Sequence, residues 1–368
     1  MKAEKTIHDR VRGCLVGGAA GDALGYPVEF MSESQIRSRF GSNGITSFVL
    51  DEESGKALIS DDSQMTLFTA NGLLFGATRG FFRGVGADPS CYVSMAYHDW
   101  LWTQEHPFGT KPEKKVSWLL DVPELYSGRA PGTTCLSALK TRKWGGADRY
   151  IDNPINNSKG CGGIMRVAPI GMLTAYPAQQ AAEAAAYTHG HPLGYIPAAL
   201  LSQMIHEIIY NELGLKEALT KALDEVVMLF DGNQYLGDLL SIIYKAVDLS
   251  LNDKPDSENI KELGEGWVAE ETLAIALYCC LRHSDSFSDA IIAAVNHDGD
   301  SDSTGSVTGN ILGAYLGFNA IDEKWKKNLE LKDVILEIAD DLSNQHPFPD
   351  DYTCPEDWEK KYIFCQRT

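Results

Sequence analysis

Residues 298–317 read DGDSDSTGSVTGNILGAYLG, and the spacing of glycine in them is the strongest indication of the fold. After its opening carboxylates, glycine recurs at every fourth position, at Gly305, Gly309, Gly313 and Gly317. We call such a set of glycines at four-residue intervals a glycine ladder. A second ladder lies near the start of the chain, at Gly13, Gly17, Gly21 and Gly25. A glycine inside a helix costs roughly 1 kcal/mol relative to alanine. Eight of them in two helical segments therefore need a structural reason.

Residues four apart lie in one row on a helix face, and a row without side chains lets another backbone approach closely. The ladders therefore predict a tight helix–helix contact in a globular core, either with each other or with a third helix. A membrane-type glycine motif is excluded, because neither segment is an apolar run of about 20 residues. Because the ladders lie near opposite ends of the chain, we expect a single domain over residues 5–365.

Helical periodicity dominates the rest of the chain and predicts an all-α fold. Apolar residues recur at three- and four-residue spacing over 62–78, 90–104, 178–190, 195–212, 215–230, 235–249, 268–283, 287–296 and 304–318. Alternating β-branched runs are scarce, and the best, 45–50, is short. Strands do not alternate with helices, which argues against a doubly wound sheet. We expect functional loops at 105–165 and 250–266.

Two short runs of carboxylates and hydroxyls carry the chemical signal. They are Ser60-Asp61-Asp62-Ser63 and Asp298-Gly299-Asp300-Ser301-Asp302-Ser303-Thr304, each opening a predicted helix. Oxygen ligands at this density, with no Cys or His inside either run, suit Mg²⁺ or Mn²⁺ rather than Zn²⁺. If the two runs meet in space, they form an all-oxygen site with room for two ions.

Helix capping is the alternative explanation for each run. Ser, Asp and Thr are favoured at N-caps and first turns, where they satisfy free N–H groups and face the positive end of the helix dipole. Three observations favour a metal site instead. Three Asp within five residues repel one another unless a cation compensates them, and Asp300 and Asp302 lie on one side of an extended segment. The same pattern also occurs twice.

Composition limits the class of protein. The 368 residues are 44% hydrophobic and 23% charged, as in an ordinary globular chain. The net charge of −19 argues against non-specific binding to nucleic acid or to an anionic membrane. Eight cysteines without a CxxC pair suggest neither a zinc site nor a disulfide framework. Because no secretory signal or membrane span is visible, we expect a cytoplasmic protein.

Several other segments are candidates for a site. Pro27 should end the first helix and leave Glu29 on a loop, either as a general base or metal partner or as a solvated residue. The glycine-rich segment 156–163 fits no P-loop or dinucleotide motif, but its N–H groups could cradle a phosphate if it is not a plain turn. The pair His189 and His191 is a weak metal signal, and Asp99 lies on an apparently amphipathic helix.

Together these motifs resemble the ADP-ribosylglycohydrolase family, which includes dinitrogenase reductase-activating glycohydrolase and the ADP-ribosylarginine hydrolases. Six segments carry the resemblance in the family's order: GCLVGGAAGDALGYPVEF at 13–30, SDDSQM at 60–65, RAPGTTC at 129–135, GCGGIMRVAP at 160–169, THGHPLG at 188–194 and GDSDSTGSVTGNILGAYLG at 299–317. The resemblance implies an all-α fold and a site for two Mg²⁺ or Mn²⁺ ions that binds the ribose of ADP-ribose.

The resemblance also assigns ligands and catalytic residues. The implied metal ligands are Ser60, Asp61, Asp62, Asp300, Asp302 and Ser303, the last of these a threonine in many members. Glu29 matches an acidic residue implicated in catalysis, with Asp302 as a further catalytic candidate. Asp99 matches, through a weaker local motif, an acid placed near the scissile bond in some members. Asp298 stands where many members have glycine, so its role is open.

Substrate contacts are implied for the glycine-rich loop and one histidine. Lys159, Gly160, Cys161, Gly162 and Gly163 match the segment that wraps the diphosphate, and His189 matches a residue that lines the site. We therefore expect ADP-ribose and an ADP-ribosylated protein as ligands. Nucleic acid and membrane are not expected partners.

The implied reaction is hydrolysis of the glycosidic bond between ADP-ribose and a modified acceptor, with protein arginine as the expected acceptor. Reversal of modification by an ADP-ribosylating toxin is one role of such an activity, which makes a toxin a candidate partner. The alternatives are serine-linked or nucleic-acid-linked ADP-ribose as substrate, a non-catalytic ADP-ribose-binding or toxin-blocking protein, and a Mg²⁺-dependent phosphohydrolase acting on the diphosphate. Fold and ligands alone do not decide the linkage.

Overall fold

Helices build this chain, and the prediction of an all-α fold is confirmed. The computed structural model describes residues 6–84, 86, 89–145, 149–344 and 354–367. Over those ranges there is no β-strand, and only two isolated bridges join Ala57 to Leu329 and Gly160 to Val268. Segment 45–50, the best strand candidate, is irregular. The outer limit of the predicted domain at residue 5 and loop residues 146–148 lie outside the described residues.

The described part of the chain contains seventeen α-helices. The first nine are α1 (Ile7–Gly25), α2 (Glu33–Phe40), α3 (Asp61–Arg83), α4 (Pro89–Glu105), α5 (Thr133–Thr141), α6 (Ile170–Leu173), α7 (Pro177–Ala186), α8 (Pro192–Tyr210) and α9 (Leu215–Leu229). They are followed by α10 (Leu236–Leu249), α11 (Asp256–Leu263), α12 (Ala269–Arg282), α13 (Phe287–Val295), α14 (Ser301–Leu316), α15 (Glu323–Lys326), α16 (Lys332–Ser343) and α17 (Glu356–Tyr362). Short 3₁₀ helices lie at Tyr26–Val28, Trp118–Asp121, Pro123–Tyr126, Cys161–Gly163 and Phe318–Ala320.

The two glycine ladders pack against each other, which decides the alternative that the sequence left open. Helices α1 and α14 run antiparallel, so Gly13 meets Gly313 and Gly17 meets Gly309. A Cβ atom on Gly17 would lie 2.4 Å from the Gly309 carbonyl oxygen, and one on Gly309 would lie 2.0 Å from the Gly17 carbonyl oxygen. Only glycine lets the two backbones come this close.

Other helices enclose this central pair. Helices α12 and α13 pack on α14, and α16 packs on α1, where Arg12 forms an ion pair with Asp340 at 2.5 Å. Helix α3 packs on α4, and α8 packs on α7 and α9. The contact between α1 and α14 joins segments near the two ends of the chain, as the prediction of a single domain requires. The limits 5–365 stay a prediction.

Short helices were not visible in the sequence pattern, so both predicted loops need correction. The segment 105–165 contains α5, and the segment 250–266 contains α11. Two turns are too short for a clear apolar period, although Pro255 before α11 and the acidic Asp256 and Glu258 in its first turn are typical start signals. The predicted helix 178–190 ends at Ala186, so His189 lies in the turn before α8.

Pro27 lies in a 3₁₀ turn directly after α1, and Glu29 follows that turn, as predicted. The carboxyl end of α1 is therefore held beside the amino end of α14. A Cβ atom on Gly25 would lie 2.2 Å from the Ser301 carbonyl oxygen and 2.6 Å from the Asp302 Cα atom.

Among the described helices, none is long and apolar enough to span a membrane.

Candidate active site

Both carboxylate runs cap helices, as the capping alternative predicted. The Ser60 hydroxyl, at the N-cap of α3, accepts a hydrogen bond from the Asp62 N–H at 3.2 Å. Asp300, at the N-cap of α14, accepts from the Ser303 N–H at 3.3 Å. Capping uses Ser60 and one oxygen of Asp300. The carboxylates of Asp61, Asp62 and Asp302 do not serve as N-caps. They lie in the first turns, where the helix dipole favours negative charge.

The buried carboxylate of Asp22 fixes the start of α3 against α1. Its two oxygens accept from the Ser60 N–H at 2.9 and 3.1 Å, and its Oδ2 atom also accepts from the Ser63 N–H at 3.1 Å and from the Ser63 hydroxyl. Burial raises the Asp22 pKa to about 6, although these hydrogen bonds oppose the shift. Asp22 was not among the predicted site residues. An ionisable side chain inside a glycine ladder is a signal that could have identified it.

The two runs meet in one cleft, which has a volume of about 350 Å³. Ten of the predicted residues line it: Glu29, Asp61, Asp62, Gly160, Cys161, Gly162, His189, Asp300, Asp302 and Ser303. The remaining lining comes from Phe30, Met165, Trp267 and the segment 130–135. The cleft thus gathers carboxylates from the end of α1, the start of α3 and the start of α14.

Burial and mutual repulsion make these carboxylates hard to ionise together. Burial raises the Asp61 pKa to about 8, with repulsion from Asp22 and Asp300 adding to the shift and the Gly132 N–H opposing it. The pKa values of Asp62 and Asp302 are raised well above normal by burial and then by neighbouring carboxylates. Burial, followed by repulsion from Asp300, Asp61 and Asp22, raises the Glu29 pKa to about 9.

The donor chemistry of the cleft fits a hard divalent cation. Asp62 Oδ2 and Glu29 Oε2 are buried without a hydrogen-bond partner, and a cation would offset the repulsion in the cleft. The described residues contain no group of three or more His, Cys, Asp or Glu side chains placed to hold an ion by themselves. A Mg²⁺ or Mn²⁺ ion in the cleft would therefore take one or two carboxylates from the protein and complete its shell with water and substrate oxygens.

The glycine-rich loop lies against His189, and its glycines are needed there. A Cβ atom on Gly162 would lie 2.9 Å from His189 Cε1 and 2.8 Å from Cys135 Sγ. The His189 ring bonds the Thr188 hydroxyl through Nδ1 at 2.8 Å. Burial, helped by the positive charge of Arg166, lowers the His189 pKa to about 3. A neutral imidazole therefore borders the bare backbone of the loop.

Cys161 brings a thiol into direct contact with a carboxylate of the cleft. Its Sγ donates to Asp300 Oδ2 at 2.8 Å. Burial and then the negative charge of Asp300 raise the Cys161 pKa well above normal, so the group is a thiol rather than a thiolate. The contact holds the second oxygen of Asp300, whose first oxygen caps α14.

The structure places four of the sequence candidates outside the cleft. Asp99 lies on the buried face of α4, where its Oδ2 accepts from the N–H groups of Val116 and Ser117 at 2.8 and 2.9 Å. Lys159 forms an ion pair with Glu270, and the buried Ser60 is used as a cap. Gly163 is also absent from the lining, because it packs against α7 and α8.

Asp298 and Arg129 support the cleft from outside. Asp298 Oδ1 accepts from the Glu33 N–H at 2.7 Å, at the start of α2. The Arg129 carbonyl accepts from the Asp61 N–H at 3.0 Å, and the Arg129 side chain pairs with Glu330 at 3.1 Å. The motif at 129–135 signals this contribution, since it passes directly over Asp61.

An aromatic pair at the mouth of the cleft had no signal in the sequence. The rings of Phe30 and Trp267 stack with centroids 5.8 Å apart and an angle of 21° between their planes. Both remain accessible, with exposed fractions of 72% and 38%. They come from segments more than 200 residues apart in the chain, so only the fold brings them together.

Hydrolases of glycosidic bonds use carboxylates to move protons and to stabilise a positively charged transition state, and the acid-lined cleft has residues of that kind. A comparison with protein families then gives the particular group. The ADP-ribosylglycohydrolase family model matches residues 3–351, and the chain belongs to that family. The family supports ADP-ribosyl glycohydrolase activity, with ADP-ribosylated substrates and ADP-ribose as ligands.

Two named relatives and one solved structure are similar to this chain over most of their length. The ADP-ribosyl-dinitrogen reductase glycohydrolase of Rhodospirillum rubrum is 24% identical over 89% of this chain and 92% of its own. The ADP-ribosylarginine hydrolase Tri1 of Serratia proteamaculans is 24% identical over 93% of this chain and 81% of its own. A solved structure titled ADP-ribosylglycohydrolase-related protein complex is 24% identical, covers 92% of this chain and 98% of its own, and has a TM-score of 0.60. That structural likeness shows the fold.

Proposed function

We propose that this chain hydrolyses the bond between ADP-ribose and a protein arginine, with Mg²⁺ or Mn²⁺ held in the acid cleft. One observation carries the proposal: Glu29, Asp61, Asp62, Asp300 and Asp302 converge on one cleft, where burial and neighbouring carboxylates raise the pKa values of Glu29, Asp61, Asp62 and Asp302. So many carboxylates are costly to bury unless cations or a cationic substrate group compensate them.

The residues that would hold the ions are the carboxylates of the two first turns, Asp61, Asp62 and Asp302, with Asp300 and the Ser303 hydroxyl beside them. Bound divalent ions would orient the ribose hydroxyls and acidify a water molecule. Ser60 contributes in this arrangement through the cap that fixes the first turn of α3. The Cys161 thiol would keep Asp300 from turning away.

Cleavage at the anomeric carbon needs a proton acceptor for the attacking water and a proton donor for the leaving group. Glu29 is suited to exchange that proton, because its Oε2 atom is buried in the cleft without a partner. Its raised pKa favours proton uptake. The positively charged sugar of the transition state would be stabilised by the surrounding carboxylates.

The wall formed by the glycine-rich loop suits the diphosphate. Gly160 and Gly162 line the cleft beside His189, so a diphosphate there would lie against peptide backbone and one neutral imidazole. The neutral His189 ring beside them can donate or accept a hydrogen bond. The diphosphate would thus lie toward 160–163, and the scissile bond toward Glu29 and Asp302.

Several observations support arginine as the acceptor. The carboxylates that line the cleft attract a guanidinium, and the net charge of −19 favours a basic protein over nucleic acid. The accessible faces of Phe30 and Trp267 at the mouth can also stack with a planar guanidinium. A relative over most of the chain is named an ADP-ribosylarginine hydrolase.

The test compares initial rates on one carrier protein modified at arginine or at serine, with products identified by mass. We expect free ADP-ribose, faster release from arginine, loss of release in excess chelator and recovery with Mg²⁺ or Mn²⁺. Asp302→Asn should remove most of the activity, whereas Asp253→Asn, a change of an exposed acid in a loop, should not.

Each contrary result identifies a different error. Faster release from serine, or release only from nucleic acid, would overturn the arginine assignment. AMP as the product would indicate a phosphohydrolase. Tight binding of ADP-ribose without release under all metal conditions would indicate a non-catalytic binding protein. Full turnover in chelator would refute the metal requirement.

A further inference from the structure

A groove at the far end of α3 concentrates positive charge on an otherwise acidic protein. Its cavity is about 450 Å³, and four cations line it against one acidic residue, Glu113. The cations are Arg79, Arg83, Lys114 and Lys115. The whole chain carries a net charge of −19, so this local excess of positive charge is opposite in sign to the molecule. We call this cavity the basic groove.

The basic groove is separate from the acid cleft. Both are built on α3, with Asp62 in its first turn and Arg79 in its last turns. Seventeen residues of α-helix separate the two, which corresponds to about 26 Å at 1.5 Å per residue. A ligand in the groove therefore cannot be the part of a substrate that reacts beside Asp62.

Two cations of the groove are unpaired in the described part of the protein. Arg79 and Arg83 make no ion pair or side-chain hydrogen bond with any described residue. The positive charge of Lys115 is partly offset by Asp121 and Asp99, although burial and then the nearby Lys111 lower its pKa. Unpaired guanidinium groups are suited to an anion, because phosphate oxygens accept charge-assisted hydrogen bonds from them.

Aromatic side chains share the groove with the cations. Tyr92, Trp144 and Phe364 line it, and Phe364 is 55% exposed. The Trp144 Nε1 atom is buried without a hydrogen-bond partner, and Lys114 lies over the Trp144 ring at 5.7 Å from its centroid. These rings give the groove an aromatic part beside its cations.

The walls of the groove are held in place. The Trp358 Nε1 atom of α17 donates to the Thr78 hydroxyl of α3 at 3.0 Å. Lys115 Nζ donates to the Cys365 carbonyl at 2.9 Å, so the segment that carries Phe364 is tied to the segment that carries Lys114 and Lys115. A prearranged site of this kind loses little entropy when it binds a ligand.

We propose that the basic groove binds a small molecule that joins an aromatic base to a diphosphate or triphosphate. Arginine and lysine pair with phosphate oxygens, and rings such as Phe364 stack with bases. The volume is that of a small-molecule site. A nucleic acid strand would extend beyond the groove onto the rest of the protein. The protein as a whole is negatively charged and would repel the strand. A compact nucleotide or a nucleotide sugar avoids that repulsion.

The experiment measures binding by calorimetry with excess chelator, using ADP, ATP, ADP-ribose and pyrophosphate in separate arms. The test variant is Arg79→Ala with Lys114→Ala. The matched control is Lys216→Ala with Lys221→Ala, which removes the same charge from exposed positions of α9. We expect the test variant to weaken ADP binding at least tenfold and the control to change it less than twofold. The arm in which the test variant loses most affinity relative to the control identifies the ligand of the groove.

A second variant tests the aromatic part of the proposal. Trp144→Leu should weaken binding of ADP more than binding of pyrophosphate, because only ADP carries a base. Hydrolysis of ADP-ribosylated carrier should keep its initial rate in the groove variants, since they lie far from the acid cleft, so this test is independent of the proposed function.

Three results would overturn the proposal: no binding in any arm, equal losses in the test and control variants, or pyrophosphate binding as tightly as ADP. A single-stranded oligonucleotide that binds the groove more tightly than ADP would replace the nucleotide by nucleic acid.

Discussion

Substitution of alanine for Gly309 tests the central contact of the fold. The new Cβ atom would lie 2.0 Å from the Gly17 carbonyl oxygen and 2.5 Å from the Gly17 carbonyl carbon. Non-bonded heavy atoms are at optimal separation at roughly 3.5–4.0 Å. The two helix backbones must therefore separate by more than about 1 Å, because the obstacle is backbone and cannot rotate away as a side chain can.

Two opposing free-energy changes set the net destabilisation expected for Gly309→Ala. Alanine in place of a helical glycine stabilises a helix by roughly 1 kcal/mol. Overpacking a core costs typically about 1–3 kcal/mol, and more where the structure cannot relax. Since α1 and α14 meet over most of their length, we expect the cost to lie at or above the upper end of that range and the net destabilisation to be about 2 kcal/mol. With an unfolding entropy of about 2.1 cal/mol/K per residue over 368 residues, the melting temperature should fall by about 3 °C.

Gly237→Ala is the matched control, measured in the same thermal and urea unfolding series. Gly237 lies in the first turn of α10, and a Cβ atom there would meet nothing within 4 Å. This variant should be unchanged or more stable by up to about 1 kcal/mol. The two substitutions are chemically identical, so opposite signs isolate the packing cost. An increase in the melting temperature of Gly309→Ala equal to that of Gly237→Ala would refute the close contact.

Three further predictions concern buried carboxylates. Asp302→Asn should abolish tight Mn²⁺ binding, measured by paramagnetic resonance, while circular dichroism stays helical. Asp22→Asn should destabilise the fold by about 1–3 kcal/mol, because its amide group would face the N–H groups of Ser60 and Ser63; unchanged urea unfolding would contradict this. The third concerns pH. Burial raises the Asp99 pKa to about 8, so the native state holds a proton that the unfolded state loses near pH 4. Stability should fall as the pH rises from about 4 to 8, and Asp99→Asn, which resembles the protonated form, should flatten that dependence.

The main framework of the fold could be predicted from the sequence because it rests on periodic signals. The long helices follow apolar spacing, and the two ladders signalled a close backbone contact before its partners were known. Partner choice could not be predicted, because Gly17 meets Gly309 through a tertiary arrangement that no local pattern encodes. Helices α5 and α11 were missed for a different reason, since two turns give too few residues to establish a period. Helix α16 was missed although its apolar residues 334, 335, 338, 339 and 342 have helical spacing.

The candidate site could also be predicted from the sequence only in part. Carboxylates at the starts of α3 and α14 stand out by composition, and the structure brings them together with Glu29 in one cleft. Local pattern overstated the role of Asp99, whose neighbours on α4 resemble a motif but whose carboxylate accepts two backbone N–H groups away from the cleft. Phe30 and Trp267 could not have been paired, because stacking between distant segments leaves no periodic trace.

The glycine ladders and the carboxylate cleft are structurally linked, because α1 contributes to both. The closest approach of α1 and α14 continues to Gly25, where a Cβ atom would lie 2.6 Å from the Asp302 Cα atom. On the same helix, one turn earlier, Asp22 holds the N–H groups of Ser60 and Ser63 at the start of α3. One helix therefore sets the positions of both first turns at once. A helix that kept side chains along this face would move α14 outward and separate Asp302 from Asp62. The free energy lost to glycine in α1 and α14 is thus the cost of bringing carboxylates of separate helices within reach of one ligand.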